Sequence, residues 1–240
     1  MNKPLIAITG ATSGIGFATA KAFDKAGYPL LLLGRHTEQL QDYNWQHAMI
    51  RSLDVTDLAK FKSIVKEAEA EYGPIDGMLN IAGAMLLGDV ATQNPKEWQT
   101  MLDVNVTGVL NGMQAVLDNM RSRRQGTIIN MSSIAGIKPF PNHAAYTATK
   151  FAVHGMTDNV REEMSPYNVR VMTVAPGAVE TPLINHTSSD DIKSAYEDWK
   201  ASMGGVITPE DIARITLFAY EQPQEVCMRE IVVSTTKQTA

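Results

Sequence analysis

The sequence contains a single cysteine, Cys227, which leaves it without an internal disulfide, a cysteine-based zinc site or a dithiol redox motif. It also lacks an apolar run long enough to cross a bilayer, and the apolar run in the N-terminal segment MNKPLIAITG is too short for a signal peptide. From these absences we expect a cytoplasmic protein without a membrane partner.

Basic residues are a minority in this chain. The formal net charge is −5 and the pI is about 5.5, which argues against an electrostatic surface for nucleic acid. The best basic cluster, Arg121-Ser-Arg-Arg124, is short, and we interpret it as a solvated helix end rather than a binding patch. The histidines show no pair with metal-ligand spacing beside a carboxylate, so we expect no metal.

Short apolar runs alternate with longer segments of helical period, which is typical of a parallel sheet with helices on its faces. The predicted strands lie at 4–9, 29–33, 48–53, 76–82, 126–131, 169–175 and 230–234. The predicted helices run from Gly14 to Ala26, Asp57 to Tyr72, Pro95 to Met120, Ala144 to Met164 and Pro209 to Tyr220. The pattern predicts one doubly wound α/β domain of the Rossmann type over residues 1–240, with a seven-stranded parallel sheet flanked by helices.

The least periodic part of the chain is residues 181–207, between the sixth strand and the last helix. It is long for a connection in a compact domain, and such loops are usually lids or disordered. We therefore expect this segment, called the lid below, to cover a substrate.

The first strand leads into Thr9-Gly-Ala-Thr-Ser-Gly-Ile-Gly16 and then into a helix. Glycines here allow a tight turn and let backbone N–H groups and the helix N-terminus approach a pyrophosphate. The spacing Thr-Gly-x-x-x-Gly-x-Gly resembles the nucleotide-binding loop of the classical short-chain dehydrogenase/reductase family.

Further matches follow in the order of that family, from residue 9 to about 182. They are Asp54-Val55, Asn80-Ile-Ala-Gly83, Asn105-Val-Thr-Gly108, Ser132-Ser133, and Pro176-Gly177 with Thr181. Ile81 departs from the usual Asn-Asn-Ala-Gly, so we expect one polar contact to be missing there. The resemblance implies cofactor contacts from Gly10, Thr12, Ser13, Gly14, Ile15, Gly16, Gly34, Arg35, Asp54, Val55, Asn80, Ala82, Gly83, Tyr146, Lys150, Pro176, Gly177, Val179 and Thr181.

Two segments, YTATK at 146–150 and YEDWK at 196–200, place a tyrosine four residues before a lysine. On a helix this spacing brings an ammonium group beside a phenol, so either pair could transfer protons. The first segment follows Ser133 by thirteen residues, on a helix expected beneath the ligand crevice. The second lies in the lid, where Glu197 and Asp198 can pair with its lysine, and we interpret it as an ordinary exposed helix turn.

Hydride transfer from a nicotinamide to a carbonyl leaves an alkoxide that needs a proton, and Tyr146 is the candidate general acid/base. Lowering its pKa from about 10 to about 7.5 requires about 3.5 kcal/mol. A cation about 4 Å away at an effective dielectric of about 20 supplies about 4 kcal/mol, so Lys150, with the positive charge of the oxidised nicotinamide, is sufficient.

The family resemblance gives the neighbouring residues their expected roles. Ser133 would hold the substrate oxygen, and Lys150 would also bind the nicotinamide ribose. The Asn105 amide would bind a water that links Lys150 to solvent, the alternative being a purely local hydrogen bond of a helix-interior asparagine. Together these four residues, Asn105, Ser133, Tyr146 and Lys150, form the predicted catalytic set.

The end of the second strand, LLLLGRHTEQL, indicates the cofactor. NAD-dependent enzymes of this fold place an acid there, which accepts hydrogen bonds from the ribose and would repel a 2′-phosphate. Here the position is Gly34, followed by Arg35, and Ser13 and Thr37 can add hydroxyl groups nearby. We therefore predict NADP(H), with solvent projection of Arg35 as the alternative.

The substrate is predicted as a small-molecule alcohol or carbonyl bound at Ser133, Ile134, His143 and Tyr146. The resemblance implies a mostly apolar substrate wall, formed by Ala84, Met85, Ile134, Ile137, His143, Ala178, Val179 and part of 183–203. The C-terminal 34 residues, from Ile207, resemble those of the branch of the family that oxidises serine and other 3-hydroxy acids and of a related branch that reduces a clavulanate aldehyde, and from the first we expect a 3-hydroxy acid. The long helices at 95–120 and 144–164 resemble those that pair across subunits in the family, and we expect a homotetramer.

Two alternatives belong to other functional classes. A non-catalytic NADP sensor or scaffold would keep the glycine loop but has no need of the four predicted catalytic residues together. An epimerase or dehydratase could use the same Tyr146 and Lys150. Those enzymes carry a large C-terminal substrate region, and only about 60 residues follow Thr181.

Overall fold

The computed structural model describes residues 3–238, and its centre is a seven-stranded, entirely parallel sheet. The strands are Leu5–Thr9 (β1), Leu30–Gly34 (β2), Ala48–Ser52 (β3), Ile75–Asn80 (β4), Gly126–Met131 (β5), Val169–Pro176 (β6) and Glu230–Val233 (β7). Every residue of β1, β4, β5 and β6 is buried, as expected for strands covered on both faces. The predicted seven-stranded doubly wound sheet is confirmed.

The strand order across the sheet is β3-β2-β1-β4-β5-β6-β7. The chain therefore moves outward from β1 in one direction and, after β3, returns to β4 on the other side of β1. The connection after β1 leads to β2 and the connection after β4 leads to β5, so the two run in opposite directions. This opens a crevice at the carboxyl ends of β1 and β4. All seven strands direct their carboxyl ends to the same edge of the sheet, so the loops after them meet there.

Eight α-helices surround the described sheet. They are Gly14–Lys25 (α1), Glu38–Gln41 (α2), Leu58–Tyr72 (α3), Pro95–Leu102 (α4), Gly108–Arg123 (α5), Ala144–Met164 (α6), Asp190–Ser202 (α7) and Pro209–Tyr220 (α8). Phe23 of α1 and Ile212 of α8 pack on one face of the sheet. Phe61 of α3, Met113 of α5 and Val153 of α6 pack on the other.

Local sequence explains where several helices begin. The Asp57 side chain accepts a hydrogen bond from the Lys60 N–H and starts α3. The Asn94 side chain accepts one from the Lys96 N–H and starts α4, whose first residue is proline. Thr208 and Asp211 form a reciprocal capping box at the start of α8. These caps satisfy backbone N–H groups that would otherwise lack partners.

Two predicted segments differ in the structure. The single helix expected from Pro95 to Met120 is α4 and α5 joined by a π-helical turn at Asp103–Thr107. The lid is not irregular, because it contains a 3-10 turn at Pro182–His186 and the thirteen-residue helix α7. Among the described residues no helix is long and apolar enough to cross a membrane.

The homotetramer stays a prediction, and the structure shows where its interface can be tested. Leu110 of α5 and Phe151 of α6 are 44% and 46% exposed in the single chain, which leaves apolar surface available for a second copy. We expect a tetramer mass by light scattering at micromolar concentration. The double variant Leu110→Glu/Phe151→Glu should lower the mass and the exposed control Lys60→Glu should not, whereas a wild-type monomer would contradict the prediction.

Candidate functional site

The glycine loop between β1 and α1 is built for close approach of backbone. Gly10 has a positive φ of 66°, and a Cβ on it would lie 2.7 Å from the Ala82 Cα. A Cβ on Gly16 would lie 2.1 Å from the carbonyl oxygen of Gly10. A side chain at either position would push the loop apart, so the two glycines leave the N-terminus of α1 open to an anionic ligand.

The ends of β1 and β4 are joined by the Thr9 hydroxyl. Its oxygen accepts hydrogen bonds from the N–H groups of Ile81 and Ala82, at 3.0 and 3.1 Å. The backbone at Ile81 is therefore held, while its side chain packs against the apolar cluster on the α1 face. The substitution of the usual asparagine by Ile81 removes a side-chain amide without loosening this turn.

One cavity of about 610 Å³ runs along the carboxyl edge of the sheet. It is lined by nearly all of the predicted cofactor and substrate residues, namely Gly10, Thr12, Ser13, Gly14, Ile15, Gly16, Gly34, Arg35, Asp54, Val55, Ala82, Gly83, Ser133, Ile134, His143, Tyr146, Lys150, Pro176, Gly177, Val179 and Thr181. Its volume is in the range of small-molecule sites. Ile137, also expected on the substrate wall, is 45% exposed and does not line the cavity.

Asn80 and Asn105 do not line the cavity and lie behind its wall. The Asn80 amide donates to Asn130 Oδ1 at 2.8 Å, and Asn130 donates to Thr157 Oγ1 at 3.0 Å, so Asn80 belongs to a buried polar network between β4, β5 and α6. A Cβ on Gly112 would lie 2.0 Å from Asn80 Oδ1, which shows how closely α5 packs on this amide. Direct cofactor contact by the Asn80 side chain is not supported.

Asn105 lies in the π-helical turn and pairs with the chain after β4. Its Oδ1 accepts from the Ala84 N–H and its Nδ2 donates to the Ala84 oxygen, both at 2.8 Å. Nδ2 also donates to Thr149 Oγ1 at 3.0 Å, one residue before Lys150. These bonds are long-range, so the alternative of a purely local bond is wrong, and the amide couples the turn after β4 to α6.

The predicted catalytic groups meet beside β5. Ser133 follows this strand, and its hydroxyl accepts a hydrogen bond from the Ala135 N–H at 3.1 Å and lies close enough to the Tyr146 phenol to lower the pKa of that phenol. Lys150 lies one helical turn further along α6, with its ammonium 5.6 Å from the centre of the Tyr146 ring and donating to the Met131 oxygen at 2.9 Å. Both side chains of α6 are buried, Lys150 with only 6% of its surface exposed.

Burial dominates the acid–base properties of this pair. It raises the pKa of the Tyr146 phenol above its ordinary value, an effect that the Ser133 hydroxyl opposes and the nearby Tyr196 reinforces. Burial also lowers the pKa of Lys150 to about 8. The sequence-based expectation assigned the lowering of the Tyr146 pKa to Lys150 together with the oxidised nicotinamide. In the structure without a cofactor, the Lys150 ammonium donates to the Met131 oxygen rather than to the phenol.

At the other end of the cavity, Gly34 closes β2. A Cβ at this position would lie 2.5 Å from Thr12 Cγ2, so the glycine loop leaves no room for a larger residue without movement of Thr12. Arg35 follows and is exposed on the cavity wall. The pKa of Asp54 is lowered by hydrogen bonds from Thr56 and, to a smaller degree, by the positive charge of Arg35.

The lid lies over the cavity and is held there by hydrogen bonds. The buried Thr187 hydroxyl accepts from the Leu87 N–H at 3.1 Å and interacts with the Met85 oxygen at 3.4 Å. Lys200, only 5% exposed, joins α7 to the loop after β6 through Glu180 at 3.3 Å and also contacts Glu197 at 2.8 Å. The expected pairing of this lysine with Asp198 is wrong.

The interpretation of YEDWK as an exposed turn is also corrected, because Tyr196 lines the cavity. Burial raises the pKa of Tyr196 to about 12. The helix α7 also brings Trp199 to the wall, a residue that the sequence reasoning missed together with Phe140. The spacing of Ile192, Tyr196 and Trp199, at i, i+4 and i+7, is the helical signal that could have revealed this apolar face.

A doubly wound sheet with a glycine loop at its switch point and a Ser-Tyr-Lys group beside it defines a dinucleotide-dependent class of protein. The chain matches the short chain dehydrogenase family over residues 4–192. It is 36% identical to an uncharacterized oxidoreductase of Listeria monocytogenes, across 99% of this chain and 98% of that protein. It is 34% identical to one of Staphylococcus saprophyticus, across 98% and 97%. The chain therefore belongs to the short-chain dehydrogenase family and is an oxidoreductase of that family.

Solved structures give the same result. The closed form of serine dehydrogenase complexed with NADP⁺ is similar with a TM-score of 0.92 and 29% identity, over 98% of this chain and 96% of that one. A variant of actinorhodin polyketide ketoreductase with NADPH is similar with a TM-score of 0.86 and 27% identity, over 96% and 95%. The predicted family and fold are confirmed, and the cofactor predicted from Gly34 and Arg35 agrees with the one that these relatives bind.

The described residues hold no group of three or more histidine, cysteine or acidic side chains arranged to bind a metal.

Burial of Lys150 yields a prediction about stability. The pKa of Lys150 is about 8 in the folded protein, against 10.5 ordinarily. Below pH 8 the lysine is charged in both the folded and the unfolded chain, and burial of that charge lowers the free energy of unfolding by its full amount. This loss of stability becomes smaller as the pH rises from 8 towards 10.5. We expect Lys150→Met to raise the Tm at pH 7 by at least about 2 to 4 °C, which corresponds to about 1 kcal/mol for a chain of this size.

The Tm gain of Lys150→Met should shrink between pH 8 and pH 10, because the wild-type lysine is then neutral. Lys60→Met, on the exposed surface of α3, should leave the Tm nearly unchanged at every pH. A Tm for Lys150→Met below that of the wild type at pH 7 would mean that the hydrogen bond to Met131 outweighs the cost of burial.

Proposed function

We propose that the protein is an NADP(H)-dependent oxidoreductase that interconverts an alcohol and its carbonyl, with Tyr146 as the general acid/base. The observation that carries this proposal is the meeting of Ser133, Tyr146 and Lys150 on the wall of the cavity that begins at the glycine loop. Residues that contact both ends of a dinucleotide line the same continuous cavity, as hydride transfer to a bound substrate requires.

When bound, NADP(H) supplies or accepts the hydride. In the direction of reduction, Tyr146 donates its proton to the substrate oxygen, and in oxidation it accepts a proton from the alcohol. The Ser133 hydroxyl lies near the phenol, so a substrate oxygen placed between the two hydroxyl groups can bond to both. Lys150 binds the nicotinamide ribose, and its charge together with that of the oxidised nicotinamide favours the ionised phenol against the effect of burial.

Asn105 acts through its neighbours in this scheme. Both hydrogens of its amide are committed to Ala84 and Thr149, and Oδ1 keeps one lone pair beyond its bond from Ala84. A Cβ on Gly83 would lie 3.4 Å from Asn105 Oδ1 and 3.8 Å from Lys150 Nζ. Asn105 Oδ1 and Lys150 Nζ therefore both lie beside Gly83. We propose that a water between these two groups is the route by which protons reach Lys150.

The structural likeness to serine dehydrogenase favours a 3-hydroxy acid as a second, narrower candidate substrate. The resemblance of the C-terminal 34 residues points the same way. Such a substrate carries a carboxylate, which needs a cationic partner on the cavity wall near Tyr146.

The two alternatives from other classes are less well supported. A sensor or scaffold would have no use for a buried lysine beside a buried tyrosine, because their burial costs stability. In an epimerase or dehydratase with a large C-terminal substrate region, the chain after Thr181 would form a separate unit. Here that part of the chain forms the lid, α8 and β7, which complete the same sheet.

The proposed function is tested by replacing, one at a time, the two tyrosines that precede a lysine by four residues. Tyr146→Phe removes the proton donor and should lower turnover by several orders of magnitude while the Kd for NADPH, measured by fluorescence titration, stays within about threefold. Tyr196→Phe is the matched control, because it removes the other hydroxyl and keeps the ring in the wall. Similar losses in the two variants would refute the assignment of Tyr146.

Cofactor choice is tested at the end of β2. Arg35→Ala should raise the KM for NADPH about 10- to 150-fold, which corresponds to a charged hydrogen bond of about 1.5 to 3 kcal/mol, and should leave the KM for NADH nearly unchanged. The exposed Arg214→Ala is the matched control. Equal activity of the wild type with NADH and NADPH would contradict this interpretation of Gly34 and Arg35.

The reverse experiment introduces the acid that is absent. Gly34→Asp places a repelling carboxylate near the 2′-phosphate but meets Thr12 Cγ2, so it is best combined with Thr12→Ser, which removes that methyl group. We expect the double variant to prefer NADH, and Thr12→Ser alone to keep the preference of the wild type.

A further inference from the structure

The substrate end of the cavity has an aromatic wall, formed by Phe140, His143, Tyr196 and Trp199 around Tyr146. His143 is central, with ring centres 5.6 Å from Phe140, 6.1 Å from Tyr146 and 6.4 Å from Tyr196. Trp199 closes the circle at 6.0 Å from Phe140 and 5.5 Å from Tyr196. The rings come from two separate elements, the segment before α6 and the helix α7, and they meet only because the lid lies over the cavity.

The wall carries no side chain of fixed charge. Among the described residues that line the cavity, the lysine and arginine side chains are Arg35 and Lys150, and the acidic one is Asp54. His36 and His186 also line it, and His186 is exposed at the end of the 3-10 turn of the lid. The Lys138 ammonium lies 5.7 Å from the centre of the Phe140 ring, but Lys138 does not line the cavity. Arg35 and Asp54 belong to the far end, after β2 and β3. Lys150 donates to the Met131 oxygen and is buried beneath the phenol, so its ammonium is part of the proton-transfer group rather than of the aromatic wall.

His143 does not supply a positive charge either. Its Nδ1 lies 2.6 Å from the Pro141 oxygen, which can only accept, so Nδ1 carries the proton and Nε2 of the neutral ring is an acceptor. Burial lowers the pKa of His143 below its ordinary value, and the bond to Pro141 opposes this only in part. At neutral pH the ring therefore behaves as one more flat, uncharged member of the wall.

We infer that the enzyme acts on an uncharged carbonyl or alcohol whose reacting carbon carries a planar apolar group, seated against Phe140, His143, Tyr196 and Trp199. This inference rests on the proposed function and names its substrate class. A planar apolar group can stack on or meet the edges of these rings, and it brings no polar atom of its own that would need a partner. A carboxylate in the same position would be taken out of water with no lysine or arginine on the wall to pair with, which disfavours a 3-hydroxy acid.

The first experiment compares two aldehydes that differ only in charge. Methyl 4-formylbenzoate and 4-formylbenzoate have similar shape, and only the second carries a carboxylate. Because the ester group withdraws electrons more strongly, each kcat/KM is divided by the rate at which borohydride reduces the same aldehyde. In each turnover a hydride from NADPH and a proton from Tyr146 reduce the aldehyde to the alcohol, so consumption of NADPH reports the rate. We expect kcat/KM for the ester to exceed that for the acid at least tenfold.

The second experiment adds the missing charge to the wall. Trp199 is partly exposed, so Trp199→Arg can place a guanidinium at the wall with its stem along the lid. This variant should raise kcat/KM for 4-formylbenzoate about tenfold or more and lower it for the ester. Trp199→Gln is the matched control, which loses the ring without gaining charge and should lower the rate for the ester without raising that for the acid. Unchanged Tm values would show that both variants fold.

The outcomes separate this inference from the proposed function. Equal or better use of 4-formylbenzoate by the wild type would overturn the inference and leave the proposed function standing. Oxidation of 3-hydroxypropionate with NADP⁺, without turnover of either aldehyde, would do the same. Absence of NADP(H)-dependent turnover with all three compounds would refute the proposed function and this inference with it.

Discussion

The site depends on the close approach of two turns, at the ends of β1 and β4. The Thr9 hydroxyl holds the N–H groups of Ile81 and Ala82, and Gly10 lies so near Ala82 that a methyl group between them would not fit. Strand order reverses at this point, so the contact fixes the position of one half of the sheet against the other. The crevice that receives a dinucleotide is the space these turns leave open, and it exists only while they remain in contact.

From that contact the order of strands assigns the ends of the cavity. Gly34 and Arg35 lie at the end of β2, on one side of β1. Ser133 follows β5 and Val179 follows β6, both on the other side. An elongated ligand across the switch point must therefore place its two ends on opposite halves of the sheet. Topology therefore fixes the line along which an elongated cofactor would lie. The side chains at the two ends, Arg35 on one side and Tyr146 and Lys150 on the other, decide which end of the cofactor each half receives.

Much of this could be predicted from sequence, for identifiable reasons. The strands are continuous apolar runs and the helix α6 has a helical apolar period, so both are visible in the sequence. The glycine spacing of the loop after β1 is compatible with few other structures. The π-helical turn at Asp103–Thr107 could not be predicted, because it follows from the bonds of Asn105 to the distant Ala84. The family resemblance predicts Asn80 at the cofactor, whereas its position in β4 directs its side chain into the protein, where the amide donates to Asn130.

The two Tyr-x-x-x-Lys segments show what sequence spacing can and cannot decide. Both form helix turns with almost the same local geometry, since the ammonium lies 5.6 Å from the ring centre at Tyr146 and 5.9 Å at Tyr196. Their surroundings differ, because Lys200 is neutralised by Glu180 and Glu197 and its tyrosine faces the aromatic wall. Lys150 has no such carboxylate among its described contacts and lies beside Ser133 at the end of β5. Spacing produces the pair, but the unneutralised charge beside a strand end is what suits one of them to proton transfer.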